Sequence, residues 1–153
     1  MQAEMTGERL AELVADTLEE AAFVFTEPVD PPPAFQGEVL EARLQYSGPK
    51  RGVLGFRASA DFAAGLAANL LGIDRTDPEI DKRSADALGE IVNMLAGAVV
   101  LELFGPSAQT SIGVPSVKEA AAAPIVEGVV THLATEDGDR LDVFLRPANG
   151  SSS

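Results

Sequence analysis

Glu90 and Asn93 stand three residues apart in the stretch DALGEIVNMLAG, residues 86–97. If the stretch is helical, side chains at i and i+3 are neighbours on one face. A carboxylate beside a carboxamide is a useful pair. The carboxylate accepts hydrogen bonds and attracts a cation, while the carboxamide both donates and accepts without adding charge. Together they can hold a charged partner in register and orient a water molecule. At about 100° per residue, Arg83, Asp86, Glu90, Asn93 and Gly97 fall on one polar strip. Leu88, Val92, Leu95 and Val99 fall opposite, with Ile91 and Leu103 at the edges of that apolar stripe. Gly89, Ala96 and Val100 flank the polar strip and offer little bulk. Each choice has a bland explanation: a solvated charge, an amide in water, glycines that let another element approach. Taken together they accept repeated helix-propensity costs, roughly 0.5 kcal/mol for Asn and about 1 kcal/mol for each Gly relative to Ala. Local rules tend to be broken where function competes with folding.

The elements that must position this strip read as follows. Residues 7–25 carry Leu10, Leu13, Val14, Leu18 and Ala21 at helical spacing, and EPVDPPP then ends the helix as an extended connector. QGEVLEARLQYSG and RGVLGFRAS, either side of Gly48-Pro49, predict a hairpin. Ser59 caps a helix that Gly72 stops. Asp77 as cap and Pro78 in the first turn open a long helix that Gly105-Pro106 closes. TSIGVPSV is extended, and residues 124–147 predict a hairpin turning at Asp137-Gly138. LAELVADTL, Leu10–Leu18, aligns with LGEIVNMLA, Leu88–Ala96, so that Glu12 matches Glu90 and Ala15 replaces Asn93. The order α-ββ-αα-β-ββ predicts an α/β fold of the α+β type. It would be a two-layer sandwich, with a largely antiparallel sheet and long helices packed on it.

Composition narrows the function. The chain has 153 residues, 46% of them apolar, and a net charge of −13. One domain over residues 1–147 is expected, with ANGSSS, 148–153, as a frayed tail. No cysteine is present, which removes thiol catalysis, disulfides and cysteine zinc sites. Lys and Arg form no run longer than Lys82-Arg83, so nucleic acid is not an expected partner. The N-terminus lacks a signal-peptide pattern, and the most apolar run, 91–104, is interrupted by Asn93 and Glu102. The expected location is the cytoplasm, with no membrane contact. His132 stands alone on an apolar strand and reads as structural, and EDGD, 136–139, reads as a turn rather than a Ca²⁺ loop. No metal site, phosphate-binding glycine loop or nucleophile elbow is found.

DALGEIVNMLAG resembles the signature of the CheC/CheX family of chemotaxis phosphatases. In that signature Glu-x-x-Asn lies in a long helix, with Asp or Ser four residues before the Glu and Gly after. Asp86, Glu90, Asn93 and Gly97 fill those places. RGVLGFRASADFAAGLAANLLGID and SIGVPSV resemble the flanking elements, and the likeness spans roughly residues 8–146. CheC-type members carry two signatures and CheX-type members one; this chain has one, so it looks CheX-like. Ala98 stands where CheX-like members commonly have Asn after the Gly. The resemblance implies a phosphatase acting on the phospho-aspartate of a CheY-like response regulator. It implies Asn93 positioning the attacking water and Glu90 docking on the regulator's lysine. Arg83, Asp86, Gly89 and Gly97 would then meet the partner. It implies no cofactor of the chain's own, Mg²⁺ being supplied by the regulator, and a homodimer. The other implied reading is a catalytically inactive adaptor for a response regulator or a flagellar switch, since switch proteins share a related core.

Overall fold

The computed structural model describes residues 4–125 and 127–148. The expected tail lies outside the described residues apart from Ala148. Helix α1 spans Gly7–Ala22, capped by Thr6, whose hydroxyl accepts from the Arg9 N–H at 3.0 Å. It ends earlier than the expected residue 25, because Phe23 takes a left-handed conformation, φ 57°, and its N–H caps back onto the Glu19 carbonyl. Strands β1 (Thr26–Pro28), β2 (Val39–Ser47) and β3 (Gly52–Ser59) follow. Helix α2 (Ala60–Leu71) is capped by Ser59 and stopped by Gly72 in the left-handed region, as the sequence predicts. Helix α3 spans Ile80–Phe104. Its regular turns start later than Asp77-Pro78. Asp77 caps a separate turn instead, accepting from the Glu79 N–H at 2.8 Å through its side chain and from the Ile80 N–H at 3.0 Å through its carbonyl. Strands β4 (Ser111–Ile112), β5 (Ser116–Ala120), β6 (Val129–Thr135) and β7 (Arg140–Pro147) complete the chain.

The strands form one antiparallel sheet in the order β1-β6-β7-β3-β2-β4, with β5 also paired to β2. This is the expected fold class. The first expected connector proves to hold a strand: Thr26–Pro28 pairs with β6, and Pro28 is tolerated because the strand is an edge. The topology has an internal two-fold character. Each half supplies one long helix and three strand positions, α1-β1-β2-β3 and α3-β4/β5-β6-β7. In each half the first strand crosses to the other half's second strand, β1 to β6 and β4/β5 to β2. The two similar stretches, Leu10–Leu18 and Leu88–Ala96, lie in the two long helices, α1 and α3, that occupy corresponding places in this arrangement.

One face of the sheet carries the helices. Ala42, Leu44, Leu54, Phe56, Leu141 and Val143 alternate toward Leu10, Leu18, Leu88, Ile91, Val92, Leu95 and Val99 to make the core. Burying each such aliphatic side chain contributes about 1.5–3 kcal/mol. This burial explains why α3 is long and apolar enough to cross a membrane, contrary to the reading of its sequence as too interrupted. Half of its most apolar stretch is packed inside the fold.

The other face is not simply solvated. Glu41, Arg57, Asp142 and His132 stand side by side across β2, β3, β7 and β6. Arg57 donates to Glu41 at 2.6 Å, and Arg43 donates to the other carboxylate oxygen. Arg140 grips Asp142 with two bonds of 2.9 Å, and His132 Nδ1 lies 2.7 Å from Asp142 Oδ1. Glu41 and Asp142 are only 3% and 2% exposed. Burial alone would raise the Glu41 carboxyl, but the hydrogen bonds from Arg57 and Arg43 overcome it and hold the group below its ordinary value. Segments that cross this face complete the layer: Phe35 lies over Arg140 at 4.4 Å, and Arg57 donates to the Ala123 carbonyl at 2.6 Å.

Candidate functional site

Helix α3 is fixed along its length by its apolar stripe, since Leu88, Ile91, Val92, Leu95 and Val99 are fully buried. That anchoring makes it a rigid carrier for whatever projects from its other side. Arg83, Asp86, Glu90 and Asn93 are all exposed, as the helical wheel expects, and Gly97 is half-buried. Neither Glu90 nor Asn93 forms a hydrogen bond or ion pair among the described residues. Their polar atoms are unspent. Arg83 and Asp86 stand 3.7 Å apart, both about half exposed, a pair weak enough to exchange partners.

The shoulders of the strip differ from the wheel. Gly89, Ala96 and Val100 are buried. Gly89 is covered by the chain's own Pro115: a Cβ built there would lie 3.4 Å from Pro115 Cγ. Gly97 is open, with nothing within 4 Å of the corresponding position. The two glycines therefore do different things. Gly89 seats the segment between β4 and β5, whereas Gly97 leaves free space beside the polar strip.

That segment makes a second wall. The Gly113 N–H donates to the Gln45 carbonyl at 2.7 Å, which ties the chain to β2 between the two short strands. Pro115 and Val117 then face Asp86, Gly89, Glu90 and Asn93 across an open depression of about 500 Å³. One side is polar and unpaired, the other apolar and held to the sheet. The depression is open to solvent, with an unpaired carboxamide and an unpaired carboxylate, Asn93 and Glu90, in its lining.

The α1 counterpart of this strip is not equipped in the same way. Glu12 occupies the place of Glu90 but bonds to Arg9 at 2.9 Å, and Arg9 also reaches Glu102 of α3 at 2.9 Å. The second bond holds the Glu102 carboxyl below its ordinary value. Ala15 has no polar group to offer. His132 serves Asp142 on the outer face, and Glu136–Asp139 form the β6–β7 turn, with Gly138 at φ 87°. Among the described residues, no group of three His, Cys, Asp or Glu side chains is placed to hold a metal ion. Sequence reading missed the Pro115–Gly89 contact, for which the only trace was a proline in an extended stretch. It also missed the meeting of Arg43 and Arg146, which are far apart in the chain but both stand over the Phe144 ring on the outer face.

Comparison with known proteins agrees with this architecture. A sequence model of the family described as chemotaxis phosphatase CheX matches residues 41–130, more than half of the chain. The match takes in both the α3 strip and the Pro115 wall. No curated protein matches the chain. Among solved structures, the CheX–CheY–BeF₃–Mg²⁺ complex from Borrelia burgdorferi is similar over 91% of this chain and 96% of that one, with 18% identity and a TM-score of 0.67. CheX from Vibrio vulnificus is similar over 90% and 93%, with 19% identity and a TM-score of 0.68. FliY from Thermotoga maritima is similar over 94% and 90%, with 15% identity and a TM-score of 0.58.

Proposed function

The chain belongs to the chemotaxis phosphatase CheX family, and from that premise we propose that it accelerates hydrolysis of the phospho-aspartate of a CheY-like response regulator. The observation that carries the reading is the pairing of an unspent carboxylate and an unspent carboxamide, Glu90 and Asn93, on a rigid helix beside an open cleft. An acyl phosphate is already activated, so the chain need not bring a nucleophile. Phosphoryl transfer passes through a loose transition state, and aiming the water in line is the main requirement. Asn93 suits this task because its amide donates and accepts without placing a negative charge beside the phosphoryl group. Glu90 docks on a lysine of the regulator and fixes the register of the two proteins. Asp86 and Arg83 can release each other to contact the regulator's rim, and Gly97 leaves room for it.

Mg²⁺ enters with the regulator, as the CheX–CheY relative was solved with both Mg²⁺ and BeF₃; its chemistry is to neutralise charge on the phosphoryl oxygens. This chain acts in the cytoplasm and as a homodimer, the edge strands offering a template for pairing. The test is phosphate release from an acyl-phosphorylated CheY-like receiver with Mg²⁺. The reading expects decay faster than the receiver's own and proportional to added protein. Capture of the activated receiver with no faster decay would favour the second reading, a binding adaptor.

A further inference from the structure

The outer face of the sheet holds an open hollow of about 600 Å³ at the end where the β2–β3 hairpin turns. Arg43 and Arg146 line it, with Gln45, Val53, Val114 and Ser116. In a chain of net charge −13, a concave surface walled by two guanidinium groups is unusual, and its construction is specific. Both arginines stand over the ring of Phe144, at 5.3 Å and 5.4 Å from its centroid. The ring itself is fully buried because it lies on Gly55; a Cβ at Gly55 would fall 2.1 Å from Phe144 Cζ. Gly55 thus accepts the strand penalty of a glycine so that a flat aromatic can seat the two cations.

The arginines are held but not used up. Arg43 spends its Nε on Glu41, and among the described residues no hydrogen bond engages its terminal nitrogens. Glu41 is already shared with Arg57, so the buried cluster of two arginines and one carboxylate keeps a positive charge. Arg146, besides its place over Phe144, is paired among the described residues only with Glu127, at 3.8 Å, whose side chain is 58% exposed. Lys50 and Arg51, at the adjoining hairpin tip, are exposed and unpaired among the described residues. Across the hollow Val114 is 91% exposed, an apolar side chain with no protein contact to explain it.

We propose that this hollow binds a small organic anion carrying a diphosphate group. Two planar guanidinium forks suit the oxygens of adjacent phosphoryl groups, Lys50 and Arg51 add attraction, and Val53 and Val114 receive an apolar or planar part of the ligand. The volume lies in the range of small-molecule sites and exceeds what a single phosphate fills. The site is separate from the α3 cleft yet shares a segment with it. Val114 and Ser116 line the hollow, while Pro115 and Val117, the alternate residues, wall the cleft.

The test is calorimetric titration of the purified protein with ATP, with inorganic pyrophosphate and with adenosine. Binding of ATP or pyrophosphate, weakening with added salt, together with no binding of adenosine, is expected. ATP tighter than pyrophosphate would assign the hollow to a nucleotide-like ligand; equal affinity would assign it to the diphosphate alone. Arg146→Gln, which gives up the cation over the Phe144 ring but leaves no buried carboxylate unpaired, should weaken binding about tenfold or more. Amide signals of Gly113, Val114 and Ser116 should shift on titration. Absence of binding of both phosphates at millimolar concentration, binding of adenosine as tight as ATP, or unchanged binding by Arg146→Gln would overturn the proposal. None of these readouts depends on phosphatase activity.

Discussion

Replacing Gly97 by Ala separates the demands of folding from those of docking. Gly97 lies inside a regular helix, and nothing stands within 4 Å of where its Cβ would be. The substitution therefore gains helix propensity without a clash, about 0.8–1.0 kcal/mol. For a chain of this length that raises the melting temperature by about 2–4 °C. If the space beside Gly97 admits the regulator, the new methyl is an overpacking defect in the complex, costing about 1–3 kcal/mol. Each 1.4 kcal/mol is a tenfold loss of affinity, so KM for the phosphorylated regulator should rise from about fivefold to about a hundredfold. Thermal denaturation and steady-state phosphate release, on the same preparation, read the two effects. A more stable protein with an unchanged KM would refute the clearance role of Gly97. A less stable protein would refute the claim that this side of α3 is open.

Three further outcomes follow from the packing. Glu41→Gln should cost about 3 kcal/mol at neutral pH, because it leaves Arg57 buried without its counter-charge. The folded Glu41 carboxyl is held below its unfolded value of about 4.3, so its stabilisation is present above that pH and is lost as pH falls through the folded value. Urea midpoints measured across this window should fall less steeply on acidification for Glu41→Gln than for the wild type. Gly55→Ala must displace the buried Phe144 ring and should lower stability by about 1–3 kcal/mol in urea unfolding. Glu90→Ala, at an exposed position, should leave the melting temperature within about 1 °C while weakening capture of a BeF₃-activated regulator.

Much of the architecture was legible because local chemistry and tertiary packing agree. Ser59 starts a helix and Gly72 and Gly105 stop helices where their types suit, and Asp137-Gly138 turns the last hairpin. The α3 strip was legible because a single helix carries it, and one periodicity separates Leu88 and Val92 from Glu90 and Asn93. What was hidden depends on segments distant in sequence. Thr26–Pro28 becomes a strand only because β6 lies beside it. Phe23 stops α1 in a conformation that local propensity assigns to glycine, and it is 82% exposed there. Glu41 and Asp142 look like solvated strand residues until Arg43, Arg57, Arg140 and the covering segments bury them. Gly89 looked like clearance for a partner, because nothing local announces that Pro115 occupies the space above it.

Asn93→Ala gives the most direct test of the central claim, when turnover and binding are measured together. The side chain is exposed and makes no hydrogen bond among the described residues, so the fold should be unchanged. Phosphate release from the phosphorylated CheY-like regulator should fall by about 100-fold or more, toward the regulator's own rate. Affinity for the BeF₃-activated regulator should stay near that of the wild type. Undiminished acceleration by Asn93→Ala would contradict the account, because no other group in the cleft can take the place of a water-positioning carboxamide.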